Sequence, residues 1–323
     1  MSVTPLPVAF EPAVTAAVAQ MAQMYRESVR APGGIPGRDA SFPLTSPTEA
    51  AAGRQIDVQE LMIPGPAGQS ELEVTVFRSA RARGLTPALY NIHGGGMVAG
   101  HRYMDNERLV ALVDEFSLTA VNVEYRLAPE HPFPAGVEDC YAGLVWLAEN
   151  AADNGADVNR IVIMGGSAGG GLSAAVALMA RDRRGPRLAG QMLLCPMLDD
   201  RNATVSARQY PNYATWPANT NAIAWKLLLG DAHGSDDISP YAAPARASDL
   251  SGLPPALIEA GAAEVFRDED VAYASRIWAA GGDAELHIWA GACHGFDIFA
   301  PAAEVSHAAL ASRSSWLRRV LDI

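Results

Sequence analysis

A serine in the stretch "GGSAG", residues 165–169, stands where it could act as a nucleophile. The stretch matches G-x-S-x-G and lies between "RIVIM" and "LSAAVALMA", runs that predict a strand and a buried helix. A tight turn between them would expose the hydroxyl of Ser167. The amide of Ala168 would then lie at the helix N-terminus, where partial positive charge stabilises an oxyanion. The pattern indicates acyl transfer through a serine.

A second glycine-rich stretch, "HGGG" at residues 93–96, directly follows the apolar run "ALYNI". Three consecutive glycines cost conformational entropy and supply no packing, so they indicate that something approaches the backbone closely. A tetrahedral oxyanion must come within about 3 Å of backbone amides, and side chains at Gly94 and Gly95 would obstruct that approach. We expect Gly94, Gly95 and Ala168 to form an oxyanion hole.

A serine nucleophile needs a base and an acid. His294 follows the strand-like run "AELHIWA", and it completes the order Ser, acid, His, whereas the six other histidines lack this position. The acid should follow the preceding strand-like run, "PPALIEA", and Glu264 comes first in that loop. Asp268 is the alternative, although with Asp270 it also fits the acidic first turn of a helix.

The elements that must position these residues alternate along the chain. From residue 72 onward, strand-like runs alternate with helical runs, which predicts an α/β fold with a mostly parallel sheet and helices on both faces. Apolar residues at helical spacing predict a helix over 13–29, and a Pro- and Gly-rich linker follows over 31–48. The aromatic segment over about 199–250 is placed either to wall a pocket or to pack on the core. We divide the chain into an N-terminal helical cap segment (1–55), a first core part (56–198), a cap insertion (199–240) and a second core part (241–323).

Composition narrows the classes of function. The formal net charge is −12 with 24 basic and 36 acidic residues, which disfavours nucleic acid and anionic membrane surfaces as partners. Residues 161–180 are uncharged over a spanning length, but five glycines divide the run into a strand, a turn and a helix. The N-terminus lacks a secretory pattern, so we expect a cytoplasmic protein. Cys140, Cys195 and Cys293 have no metal-like spacing, and we expect buried free thiols.

The stretches "HGGGMVAG", "GGSAGGG", "VEYRLAPEHPFPAGVEDCYAGLVWL" and "HGFD" together resemble the hormone-sensitive-lipase-like carboxylesterases, the bacterial family IV esterases. "LSGLPPALIEAGAAEVFRDEDVAYASRIWAAGG" adds to the resemblance, which covers about residues 72 to 320. It implies an α/β-hydrolase fold and hydrolysis of short- to medium-chain carboxylic esters without a metal or organic cofactor. The resemblance makes Ser167 the nucleophile and His294 the base. It also suggests a homodimer.

Two positions depart from the family pattern. Gly166 stands where Asp usually precedes the nucleophile, and Glu264 stands where the triad acid is usually Asp. A glutamate can still accept the imidazole N–H, fix the tautomer and stabilise the imidazolium. We therefore expect a Ser-His-Glu triad.

Three alternatives stay open. "GGGLSA" over 169–174, with Asp199 further on, fits a nucleotide-binding fingerprint, but it begins after the turn and leaves "HGGG" and His294 without a role. The same family includes plant hormone receptors that have lost catalysis, although the presence of Ser167, Glu264 and His294 argues against that outcome. Amide or lactone hydrolysis would use the same residues.

Overall fold

The computed structural model describes residues 5–30, 34–38 and 44–323. An eight-stranded sheet in the order β1-β2-β4-β3-β5-β6-β7-β8 forms its centre. The β1/β2 and β2/β4 pairs are antiparallel and all others are parallel, which confirms the predicted α/β-hydrolase architecture. The strands are β1 (Ile56–Ile63), β2 (Leu72–Ser79), β3 (Thr86–Ile92), β4 (Thr119–Val123), β5 (Ala156–Gly166), β6 (Gly190–Leu194), β7 (Ala256–Gly261) and β8 (Ala284–Trp289).

Helices cover both faces of the sheet. The α-helices are α1 (Pro12–Arg30), α2 (Pro47–Ala50), α3 (Asn106–Phe116), α4 (Ala135–Glu149), α5 (Ala168–Asp182), α6 (Val205–Gln209), α7 (Ala218–Leu229), α8 (Arg267–Ala279), α9 (Phe296–Phe299) and α10 (Glu304–Leu321). Short 3-10 turns occupy Arg102–Asp105, Gly230–Ala232 and Pro244–Arg246.

The two cores follow from the alternation of side chains along buried strands. On β3, Tyr90 and Ile92 belong to the larger core, which includes α4 and α5, whereas Leu89 belongs to the smaller core under α3 and α10. Every residue of β3 is buried, as expected for a strand covered on both faces. The burial of this sheet centre fixes the ends of the strands from which the functional loops emerge.

The first strand, β1, was not predicted from the sequence. In β1, "IDVQELMI", only Ile63 is buried, because the strand lies at the sheet edge and pairs on one side with β2. Charged residues are frequent on edge strands because the exposed edge must not recruit another chain. The polar composition that hid this strand is therefore a consequence of its position.

The uncharged stretch over 161–180 divides as predicted. It begins within β5, turns at Ser167 and continues into α5, which is buried from Ala168 to Ala180. Within the described residues, no helix combines the length and the apolar character that crossing a membrane requires.

The N-terminal region contacts the segment that follows β6. The predicted helix over 13–29 is α1, and the hydroxyl of Tyr210 donates to the backbone oxygen of Val8 at 2.7 Å. The rings of Tyr25 and Trp216 meet edge to face with centroids 5.0 Å apart. Of the linker predicted over 31–48, residues 31–33 and 39–43 lie outside the described residues, and its end forms the start of α2.

Candidate active site

Ser167 occupies the turn between β5 and α5. Its φ of 58° and ψ of −123° are rare for a residue with a side chain, and such strain concentrates at functional sites. Small neighbours allow this turn. A Cβ on Gly169 would lie 1.9 Å from the backbone oxygen of Ile92, and a Cβ on Gly165 would lie 2.3 Å from that of Gly169. The glycines of "GGSAG" therefore allow α5 to pack directly against the strand ends.

A chain of hydrogen bonds links the serine to a histidine and a buried carboxylate. Nε2 of His294 lies 2.9 Å from Oγ of Ser167, and Nδ1 lies 2.6 Å from Oε2 of Glu264. His294 comes from the loop after β8 and Glu264 from the loop after β7. Glu264 is fully buried, and its other oxygen accepts from the amide of Gly261 at 2.6 Å. The structure thus brings together the three residues that sequence analysis selected.

Asp268, the alternative acid, makes hydrogen bonds with other residues. Its carboxylate accepts from the amide of Ser206 at 2.7 Å and from Arg267 at 2.8 Å. It lies in the first turn of α8, as the acidic pattern predicted, and it anchors the start of α6. The hydrogen bond to His294 comes from Glu264.

The histidine is held from several sides. The hydroxyl of Thr215 donates to the backbone oxygen of His294 at 2.6 Å, and the ring of Phe266 meets the imidazole edge to face at 5.1 Å. With Glu264 fixing Nδ1, these contacts restrict both the ring and its backbone. Nε2 is consequently directed at Ser167.

The "HGGG" turn packs against the serine turn. A Cβ on Gly94 would lie 3.0 Å from the backbone oxygen of Gly166 and 3.4 Å from Cβ of Ser167. Gly95 has a φ of +114°, and a Cβ there would lie 2.1 Å from the backbone oxygen of Ala99. Gly95 therefore excludes a side chain, and a side chain at Gly94 would require its neighbours to shift. His93, whose Nδ1 lies 2.8 Å from the backbone oxygen of Gly94, is buried and stacked on Tyr125.

A cavity of about 590 Å³ lies beside Ser167 and His294, at the carboxyl ends of the central strands. Its lining is contributed largely by α1, the "HGGG" turn, the loop after β8 and Trp216. Of the aromatic residues in the 199–250 segment, Trp216 lines the cavity, Tyr210 and Trp225 are buried, and Tyr213 is exposed. The segment therefore both lines the pocket and packs on the core, the two roles predicted from the sequence.

A buried ionic network supports one side of this cavity and was missed from the sequence. Arg313 on α10 reaches Asp297 at 2.6 Å and also pairs with Glu259, while Arg108 reaches Asp297 at 3.2 Å. Although burial opposes ionisation, Arg313 and Arg108 hold the pKa of Asp297 well below its usual range. Asp297 lies three residues after His294, so the network fixes the loop that carries the histidine.

Gly166, which replaces the usual Asp, has room for a Cβ atom. A Cβ there would meet Nη1 of Arg108 at 3.7 Å and the backbone oxygen of Leu194 at 3.9 Å, both ordinary contacts. The conformation of this turn therefore does not require glycine at position 166. Its absent side chain leaves Arg108 paired with Asp105 at 3.1 Å as well as with Asp297.

The glycines of the nucleotide-like pattern have a packing role. A Cβ on Gly171 would lie 2.1 Å from the backbone oxygen of Met197, as close a conflict as at Gly169. Asp199 pairs with Arg201 at 2.7 Å. The small residues of α5 are therefore explained by close approach to the neighbouring strand ends.

The cysteines differ from the expectation in one case. Cys140 and Cys293 are buried free thiols, as predicted, but Cys195 is half-buried and lines the cavity. It follows β6 with a φ of +41°. Burial and the nearby carboxylate of Glu264 raise the pKa of the Cys195 thiol well above its ordinary value.

Comparisons with known proteins show the family to which the chain belongs. Residues 89–298 match a family described as having the alpha/beta hydrolase fold. The chain is 38% identical over 257 residues to the carboxylic ester hydrolase LipN of Mycobacterium tuberculosis. The aligned region covers 77% of this chain and 67% of LipN.

Solved structures agree as well. A bacterial heroin esterase is 34% identical, with a TM-score of 0.85 and coverage of 97% of this chain and 98% of that chain. An esterase from the archaeon Pyrobaculum calidifontis is 30% identical, with a TM-score of 0.81 and coverage of 96% and 98%. The chain therefore belongs to the hormone-sensitive-lipase-like, bacterial family IV branch of the α/β-hydrolase superfamily, and it is a carboxylesterase.

Proposed function

We propose that this carboxylesterase works through a Ser167–His294–Glu264 triad and an acyl-enzyme. The observation that carries the proposal is the hydrogen-bond chain from Oγ of Ser167 through both ring nitrogens of His294 to Glu264, with separations of 2.9 and 2.6 Å. A chain of this kind orients the base toward the nucleophile and fixes its tautomer. Nδ1 carries the proton that Glu264 accepts, which leaves the lone pair of Nε2 facing the serine.

In the first half of the reaction, His294 removes the hydroxyl proton of Ser167 as Oγ attacks the ester carbonyl carbon. The tetrahedral intermediate collapses, the C–O bond to the alcohol breaks, and the imidazolium gives its proton to the departing alkoxide. In the second half, His294 deprotonates a water molecule that attacks the acyl-enzyme, and the carboxylic acid leaves as Ser167 regains its proton.

The amides of Gly94, Gly95 and Ala168 form the oxyanion hole in this proposal. Support comes from the packing of the "HGGG" turn against the serine turn, and from the position of Ala168 at the first residue of a fifteen-residue helix, α5. A helix N-terminus favours negative charge. Loss of one such donor typically reduces turnover by about 10²–10³-fold.

The substrates are short- to medium-chain carboxylic esters. The cavity of about 590 Å³ is in the size range of sites for small molecules, and methionine and aromatic side chains supply much of its apolar wall. Met21 and Met24 of α1 and Trp216 of the 199–240 insertion contribute to that wall. We propose that segments 1–55 and 199–240 act together as the cap that limits acyl length.

The test is hydrolysis of a p-nitrophenyl ester series from acetate to palmitate by the wild type and by Ser167→Ala. We expect short and medium esters to be turned over, rates to fall for the longest chains, and Ser167→Ala to lose on the order of 10⁵-fold or more in kcat. Circular dichroism and thermal unfolding of both proteins serve as controls for folding. Comparable turnover by the variant would refute the assignment of Ser167, and no turnover of any ester by folded wild type would favour a binding protein.

A further inference from the structure

A thiol lies beside the proposed triad and has no part in the mechanism above. The ligand-capable atoms of Cys195, Glu264 and His294, one from each residue, all lie within 4.8 Å of one another. Cys195 and His294 also line the cavity. The backbone of Cys195 is fixed by a hydrogen bond from its amide to the backbone oxygen of Glu259 at 2.6 Å.

Sulfur, imidazole nitrogen and carboxylate oxygen are the three protein donors that Zn²⁺ prefers. Bonds of about 2.0–2.3 Å place the ligands of a tetrahedral Zn²⁺ about 3.3–3.8 Å apart, which is comparable with the limit of 4.8 Å within which these three atoms lie. Cd²⁺ shares the affinity for thiolate, whereas Mg²⁺ and Ca²⁺ favour sites made of oxygen atoms alone. The donor set therefore discriminates between these two groups of cations.

We propose that Cys195, His294 and Glu264 form an inhibitory site for thiophilic divalent cations such as Zn²⁺ and Cd²⁺. On binding, the thiol of Cys195 loses its proton to water and a metal–sulfur bond forms. The imidazole contributes one nitrogen. At Nδ1 the ion displaces the proton shared with Glu264, and the neutral imidazole then carries its proton on Nε2; at Nε2 the ion takes the lone pair directed at Ser167.

Either arrangement removes the base, because the Nε2 atom that faces Ser167 then carries a proton or the ion and has no lone pair to accept the serine proton. The inhibitory effect rests on the proposed triad, but binding of the metal does not. Two kinds of measurement therefore separate a failure of the metal site from a failure of the proposed mechanism.

The binding experiment titrates CdCl₂ into the full-length protein in chelator-free buffer and follows the ultraviolet charge-transfer band of a cadmium thiolate. We expect one equivalent of Cd²⁺ to produce the band in the wild type and in Cys140→Ala, because Cys140 is fully buried and does not line the cavity. We expect Cys195→Ala to lose the band and His294→Gln to bind Cd²⁺ at least about tenfold more weakly.

The activity experiment measures inhibition of p-nitrophenyl acetate hydrolysis, each variant being compared with its own metal-free rate. We expect ZnCl₂ to inhibit the wild type and Cys140→Ala at micromolar concentrations, EDTA to restore activity, and MgCl₂ to have no effect. The half-inhibitory Zn²⁺ concentration should rise at least about tenfold in Cys195→Ala. Equal sensitivity of Cys195→Ala and the wild type, or a cadmium band that survives in Cys195→Ala, would overturn the proposal.

Discussion

Replacement of Arg313 by methionine tests how far the buried ionic network holds the histidine loop in place. The side chains of Arg313, Glu259 and Asp297 are only 4%, 2% and 9% exposed. Methionine keeps much of the apolar stem of the arginine but removes its cation. Breaking a buried pair in this way costs about 3–5 kcal/mol, because an uncompensated charge is left in the interior. We expect the free energy of unfolding to fall by that amount at pH 7.

The loss should depend on pH, and its sign follows from Asp297. The pKa of Asp297 in the folded wild type is held below its unfolded value, so this carboxylate contributes stability above that unfolded value and loses the contribution as pH falls through the folded pKa. Without Arg313, the folded variant takes up protons at higher pH than the wild type. The difference in stability between the two proteins should therefore be largest at pH 7 and smaller at about pH 3, below the unfolded pKa of the carboxyl group.

Urea unfolding followed by circular dichroism at both pH values measures the difference. Arg318→Met is the matched control, since Arg318 lies on the same helix and pairs with Glu115 at 2.9 Å, with its side chain 52% exposed. This exposed pair should contribute no more than about 1 kcal/mol. Arg313→Lys restores a charge and should recover part of the loss. A destabilisation by Arg313→Met no larger than that of Arg318→Met, or one independent of pH, would refute the reasoning.

Four further substitutions follow from the contacts described. Asp270 is fully buried, neither of its carboxylate oxygens has a partner among the described residues, and burial raises its pKa, so Asp270→Ala should stabilise the fold by about 1–2 kcal/mol at pH 7. Because a raised folded pKa destabilises the wild type as pH rises above the unfolded value, urea unfolding should show less gain at pH 4. Gly166→Ala should shift the thermal midpoint by only a few degrees, whereas Gly169→Ala, with a Cβ 1.9 Å from a backbone oxygen, should not yield folded protein. Glu264→Gln offers one acceptor to the two donors Gly261 and His294, so one buried donor is left unpaired and the thermal midpoint should fall by a few degrees. Steady-state kinetics should show kcat lower by about 10⁴-fold, and wild-type turnover would contradict the triad.

Local chemistry explains why much of the site was predictable. Ser167, Glu264 and His294 each follow a strand, and parallel strands deliver their carboxyl ends to one edge of the sheet, so order along the chain translates into proximity. The glycines around Ser167 were predictable because a tight turn requires them. The choice between Glu264 and Asp268 needed the structure, since both lie within one loop and helix start.

Other features had no local signal. Arg108 and Asp297 are 189 residues apart in the chain and meet only because α3 and the loop after β8 converge. Cys195 had the composition of a buried strand end, and its place at the cavity wall follows from the turn that the chain makes at a positive φ. β1 was hidden by its polar edge composition. In each case the missing information is the packing between distant segments.

Helix α1 contacts both the cavity and the loop that carries His294, so it links pocket shape to catalysis. One side buries Val14 and Val18 against Ala292, Cys293 and Phe296, the residues that flank His294. The other side presents Met21 and Met24 to the cavity. In the proposed enzyme, α1 can vary without changes in the sheet, but it also supports the loop that carries the base. Substitutions in α1 that admit a new acyl group would therefore alter turnover as well. Compensating substitutions would be needed in the loop that carries His294.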